Sequence, residues 1–204
     1  QITCQVASEG VAIGRVSHLR AVDLLTHGGG ARGLLHDDQE ALFVEALERT
    51  DRQLEMLHRE LDERLADVAS LIFGTHLLML RDEEFSGQMI AAIRTGAAAH
   101  EAVRQVTDQY VSLPAASSNA RTQEKTHDVR DLGSRLLRNL EPSDDEYGDL
   151  RGKVVISHEM FPSDLVRIAA EHAEGVILTG AGTTAHITIL ARSLEIPAVL
   201  LREP

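Results

Sequence analysis

The feature that most constrains the fold is a change of hydrophobic period at both ends of a long central segment. Residues 1–35 hold short β-type runs, Ile2–Val6 and Val11–Leu19, separated by Ser8-Glu9-Gly10 and followed by Gly28-Gly29-Gly30. From about Asp37 the spacing becomes helical: Leu47, Leu54, Leu57, Leu61, Leu65, Val68 and Ile72 step by three, four or seven along one apolar stripe. Mixed charges between them form a solvated face. Further helical stretches follow over Phe73–Leu80, Phe85–Ile93 and Ala97–Val111. A last one carries Val129, Leu132, Leu136 and Leu140 and stops before Pro142. The polar stretch Ala115–Glu124 reads as a loop. From Lys153 the pattern is α/β: strands at Lys153–Ser157, Gly175–Leu178 and Ile196–Leu201, and helices from Pro162 to His172 and from His186 to Leu194. Ser163 is the expected N-cap of the first of these helices, with Asp164 in its first turn.

Neither end can build a covered sheet alone. The opening residues bring strands without helices; the last sixty bring both. The economical arrangement is one α/β domain made of 1–36 and 141–204, interrupted by an antiparallel helical bundle over 37–140. The chain opens at Gln1 and stops at Pro204 after a strand-like run, as expected of a piece of a longer protein.

A net charge of −12 repels a nucleic-acid backbone and suits a basic protein partner. No apolar run is long enough for a membrane helix. The single cysteine, Cys4, allows no internal disulfide, which fits a cytoplasmic protein, and is assigned no catalytic role. Ten histidines raise metal binding as a rival, but none pairs at a convincing ligand spacing.

Chemistry concentrates in the stretch from Gly180 to Val199. A strand leads into a glycine-rich turn and then a helix with His186 in its first turn. Free amides and the helix dipole favour an anion there. Gly182 permits close approach, and Thr183 and Thr184 are able to donate to phosphate oxygens. Arg192 is either a phosphate contact or a surface charge. On spacing alone, an ordinary polar residue near a helix start is the better reading of His186.

The full string changes that balance. Gly182, Thr184, His186, Thr188, Ile189, Leu190, Ala191 and Arg192, continued by Ser193-Leu194-Glu195-Ile196-Pro197-Ala198-Val199, resemble the active-site signature of the phosphoenolpyruvate-utilising enzymes. In that family a swivelling domain carries a phosphorylated histidine. Phe73-Gly74-Thr75-His76-Leu77-Leu78-Met79-Leu80-Arg81-Asp82-Glu83-Glu84-Phe85 and Asp128–Leu140 resemble the helical subdomain of enzyme I of the bacterial sugar phosphotransferase system, or its nitrogen-related paralogue. The opening Ala7–Gly14 is similar to the start of the same enzymes. Pyruvate phosphate dikinase and phosphoenolpyruvate synthase share the histidine motif but match the helical region poorly.

The resemblance implies phosphoryl transfer from phosphoenolpyruvate, bound with Mg²⁺ in a C-terminal barrel absent from these residues. The group would pass through His186 to the histidine of an HPr-type carrier. It also implies homodimerisation through the missing domain. The carrier would dock on the helical bundle, with His76, Met79 and Leu80 at the interface and Asp82, Glu83 and Glu84 facing a basic patch. Enzyme I usually has Arg where Thr183 stands, Ser at Ala185, Gly at Ala181, a small residue at Ile187, and Thr where Phe161 stands. Those departures motivate the alternative of a regulatory module that kept the fold and lost transfer.

Overall fold

The computed structural model describes residues 3–19, 36–112, 120–140, 149–180 and 185–202. The expected Gly28–Gly30 loop lies outside them, as do Gly182, Thr183, Thr184 and residues 115–119 of the expected polar loop. The chain divides into two compact units, Gln1–Ala21 with Asp144–Pro204, and Val22–Ser143.

The first unit is a five-stranded sheet in the order β1-β5-β4-β3-β2, made of β1 (Thr3–Ser8), β2 (Arg15–His18), β3 (Lys153–Ser157), β4 (Gly175–Leu178) and β5 (Ala198–Arg202). Strands β2 to β5 are parallel and β1 closes one edge antiparallel to β5, Val6 opposite Val199. Helices α6 (Pro162–Ala170) and α7 (Ala185–Ser193) make the crossovers β3–α6–β4 and β4–α7–β5 and pack on each other. Parallel strands require such crossovers, and the covered strand faces read as apolar runs. Val155, Val176, Leu178 and Ala198 from the sheet are buried, as are Leu165, Ile168, Ile187 and Leu190 from the two helices. The run expected as Val11–Leu19 pairs only over Arg15–His18, and Val11 and Ile13 are exposed.

The cap of α6 differs from expectation. Phe161, extended at φ −95° and ψ 156°, is the N-cap and Pro162 opens the helix. Its own amide donates to Asp164 Oδ2 at 3.2 Å, so the carboxylate serves the chain entry while Ser163 sits inside the first turn.

The second unit is helical: α1 (His36–Ala69), a π-helical turn (Ser70–Gly74), α2 (Thr75–Leu80), α3 (Glu83–Arg94), α4 (Ala99–Ser112) and α5 (Ala120–Leu140). Helix α5 starts earlier than expected, taking in 120–124. As far as Arg59 the buried positions of α1 are Gln39, Phe43, Ala46, Thr50 and Leu54, while Leu47 and Leu57 are only half-buried. The stripe is thus set by an aromatic, a small residue and a threonine rather than by leucines alone. Thr50 satisfies its hydroxyl on Ala46 O at 2.7 Å and also accepts from Asn139 Nδ2 at 2.8 Å. Asn139 exchanges amide hydrogen bonds with Gln53, joining α5 to α1.

Helix α3 shows its local logic plainly. Asp82 caps it, accepting from Glu84 N at 2.8 Å, and Glu83 and Glu84 stand in the first turn, where negative charge meets the helix dipole. Phe85, Met89 and Ile93, four apart, are buried. Gly96, at φ +114°, ends the element in a backbone conformation that side chains disfavour.

Candidate phosphoryl-carrier site and carrier-docking face

The sheet fixes where chemistry can occur. In parallel α/β architecture the strand C-termini and the helix N-termini converge on one edge, where ligands bind. Ser157 and Leu178 pair in register at the ends of β3 and β4, and the two loops leaving them lead to α6 and α7. His186 stands in the first turn of α7 and is half-buried. Its neighbours show why: Ile187, Leu190 and Ala191 form the buried face of the helix, and Ile189 is 46% exposed. An imidazole flanked in this way is held by its helix yet open to a reactant. Gly182, Thr183 and Thr184, expected around it, lie outside the described residues.

The start of the turn before α7 is tightly fitted. Thr179 N donates to Ser157 O at 2.9 Å. A Cβ placed on Gly180 would lie 2.2 Å from His158 O, so only glycine lets the two loops approach this closely.

Arg192 has a different place from the phosphate contact considered above. It lies six residues beyond His186, roughly 9 Å along the helix axis, and its Nε donates to Ala7 O at 2.7 Å. Ser8 Oγ reaches Ala191 O at 3.4 Å. Together these bonds tie the C-terminal half of α7 to β1, and that anchoring is the role the structure gives Arg192.

In the helical unit the acidic residues expected at the interface are exposed: Asp82, Glu83 and Glu84 line the start of α3. Met79 is half-buried. Two other expected contacts are corrected. Leu80 is 2% exposed and belongs to the core. His76 is 1% exposed, with Nε2 3.5 Å from Asp128 Oδ1, Nδ1 3.9 Å from Asp131 Oδ2, and its ring edge-on to Phe73. It joins α2 to α5 from inside and presents nothing to a partner. His100 is buried as well. The apolar residue that α2 does offer is Leu78, 76% exposed, which sequence reading passed over. Its signal was available: if His76 and Leu80 share the inward face at a spacing of four, Leu78 between them points outward.

Arg81, between Leu80 and the acidic run, is bound by Asp51 at 2.7 and 2.9 Å and by Glu55 at 2.5 Å. Those hydrogen bonds, Asp51's first, raise its pKa further above the ordinary arginine range. Its positive charge is directed back onto α1 rather than toward a ligand. Among the described residues no three metal-ligating side chains converge, and no helix is long and apolar enough to cross a membrane.

Fold and motif define a class: a parallel α/β domain with a histidine at a helix start, its chain interrupted by a helical unit. Residues 4–125 match the family model of the PEP-utilising enzyme N-terminal domain, and residues 149–201 that of the PEP-utilising enzyme mobile domain. The chain belongs to the PEP-utilising enzyme family. Phosphoenolpyruvate-protein phosphotransferase of Enterococcus faecalis is 29% identical over 204 residues, covering 95% of this chain. The protein of the same description from Haemophilus influenzae is 27% identical over 198 residues, covering 96%. The chain spans 34% of the length of each of these relatives. A solved structure described as the N-terminal domain of Enzyme 1 - Nitrogen superposes with a TM-score of 0.75 at 23% identity, over 98% of this chain and 83% of that one. A solution structure of Enzyme I superposes at 0.66 with 29% identity, over 98% and 82%.

Proposed function

We propose that this chain carries a phosphoryl group on His186 and exchanges it with the histidine of an HPr-type carrier protein docked on the helical unit. The observation that carries this reading is His186 itself, half-exposed in the first turn of α7 at the edge where the parallel strands end. Transfer is an in-line exchange of phosphorus–nitrogen bonds. The lone pair of one imidazole forms the new bond while the electron pair of the old one returns to the other imidazole. Positioning and charge stabilisation supply the catalysis. The helix N-terminus favours the anionic group, and Ile187, Leu190 and Ala191 keep the helix seated while the phosphate moves.

On this reading phosphoenolpyruvate and Mg²⁺ engage a barrel domain in the part of the protein beyond this chain, which also makes the homodimer. No step within this chain runs through the metal. The pathway is cytoplasmic and belongs to the sugar or the nitrogen branch of the phosphotransferase systems. Leu78, Met79, Asp82, Glu83 and Glu84 would receive the carrier, apolar contact at the centre and acidic residues meeting a basic patch.

A second reading, a regulatory module without transfer, draws support from Phe161. Its side chain is 6% exposed at the start of α6 and offers no hydroxyl to the edge where His186 stands. Incubation with a phosphorylated HPr-type carrier decides between the two. Acid-labile phosphate should appear on the wild type and vanish in His186→Ala, whose fold should survive because surface changes usually stay within about 0.5 kcal/mol. Carrier binding without labelling of the wild type would establish the regulatory reading, and undiminished labelling of His186→Ala would move the acceptor elsewhere.

A further inference from the structure

The corner that presents Leu78 and the acidic run is thinly built. Helix α2 has only six residues, and Gly74 before it brings no capping side chain. So short a helix is not stable on its own in water. Two residues, Arg81 and Asp82, join it to α3. Beside this turn lies a groove of about 400 Å³, lined by Leu47 and Asp51 from α1 and by Leu80 and Ser86 from the corner. Arg81 bridges the two sides. Its Nε and Nη2 donate to the two oxygens of Asp51, and Nη2 also donates to Glu55 Oε1. Asp51 and Glu55 stand four apart on α1, so they share a face and one guanidinium reaches both. A planar fork fixes direction as well as distance, which an ammonium does not. All three side chains are partly exposed, where ion pairs add little to overall stability. What the fork does fix is the place of the turn.

Resting on the docking reading above, we propose that Arg81 is a positioning residue for carrier recognition. Joined to Asp51 and Glu55, it holds the α2–α3 turn against α1 and so sets the spacing of Leu78 and the acidic start of α3 before the carrier arrives. A face ordered in advance loses less freedom on binding. The same bonds engage Asp51 and Glu55 within the chain, so that Asp82, Glu83 and Glu84 are the carboxylates left to face a basic partner. Arg81 itself need not touch the carrier.

The test sets charge against position. Arg81→Ala makes the face more acidic, and Asp51→Asn combined with Glu55→Gln makes it less so. Were charge alone involved, a basic HPr-type carrier would bind the first more tightly and the second more weakly. On the positioning reading both lose affinity, with Kd rising about fivefold by titration calorimetry, the scale of ordering one or two side chains. The triple variant should lose little more than the acidic double variant, because the three residues act as a unit. Arg81→Lys keeps the charge without the fork and should show most of the loss, where charge alone predicts no change. The transfer rate at saturating phosphorylated carrier should stay the same in every variant. So should labelling of His186 by phosphoramidate, which needs no carrier. In the carrier-free variants the amides of Asp82–Phe85 should exchange faster than in the wild type. Equal or tighter carrier binding by Arg81→Ala would overturn the proposal and leave the docking face standing; so would losses that simply add in the triple variant. If Arg81→Ala fails to fold, Arg81→Lys decides, and wild-type affinity in it would overturn the proposal. A wild type that binds no carrier, or binds it indifferently to Leu78→Ala and to charge reversal at Glu83 and Glu84, would overturn the docking reading and the proposal with it.

Discussion

At Gly133 helix α5 lies close against α4, and its replacement by alanine has a calculable outcome. A Cβ there would lie 2.6 Å from Thr107 Oγ1, 2.8 Å from Thr107 Cγ2 and 3.3 Å from Thr107 Cβ. Thr107 is fully buried on α4 and cannot swing into solvent. Ordinary carbon contacts are about 3.5–4.0 Å, so the helices must yield by nearly an ångström. Overpacking of this kind costs about 1–3 kcal/mol. Alanine in a helix interior returns about 0.8–1.0 kcal/mol relative to glycine. Gly133→Ala should therefore destabilise by about 1 kcal/mol. In a Thr107→Ala background the two nearest atoms are gone, and the same change should stabilise by up to about 1 kcal/mol through helix preference alone. The coupling between the two sites is then about 2 kcal/mol, within the range for residues in contact. Urea unfolding of the four proteins, followed by helical circular dichroism, measures it. If Gly133→Ala shifts stability equally in both backgrounds, to within about 0.5 kcal/mol, the close approach of α4 and α5 is not what fixes glycine there.

Charge reversal at Glu83 and Glu84 should slow transfer from a phosphorylated carrier at low salt and matter less at high salt, where screening already weakens the wild-type attraction; equal low-salt rates would count against this docking face. Leu78→Ala should weaken carrier binding while leaving the unfolding midpoint in place, whereas Leu80→Ala should cost about 2–5 kcal/mol of stability, and the two are separated by calorimetry alongside a binding titration. Given phosphoenolpyruvate and Mg²⁺ alone, the chain should stay unphosphorylated at any concentration of either; mass spectrometry showing phosphate on His186 would put the donor site within these residues.

Much of this architecture is legible in the residues, and the exceptions have physical causes. Period change exposed the α/β ends and the helical middle because burial of one helix face or of whole parallel strands leaves different spacings in the chain. The cap of α6 was misread because Ser163 has the better capping side chain, yet Pro162 is suited to the first helical position, and Asp164 satisfies the amide of the residue before it. His76 was misread because a histidine beside acidic residues looks like surface. Its neighbours Asp128 and Asp131 come from a helix some fifty residues later, so its inward position is not legible locally.

The antiparallel pairing of β1 with β5 sets a timing problem for biosynthesis. Thr3 finds its partner in Arg202, and Val6 in Val199, so β1 must wait for β5 to be made. At a synthesis rate of ~5–20 residues per second, β1 leaves the ribosome roughly 10–40 s before β5 exists. Throughout that interval its backbone groups are unpaired, a template for pairing with other nascent chains. The helical unit, continuous in the chain and rich in local contacts, is able to fold within the same interval. Slower translation should therefore lengthen the vulnerable period of the α/β unit without affecting the helical one. Losses during expression should appear as aggregates held through β1, in which Cys4 is protected from thiol reagents although it is exposed in the folded protein.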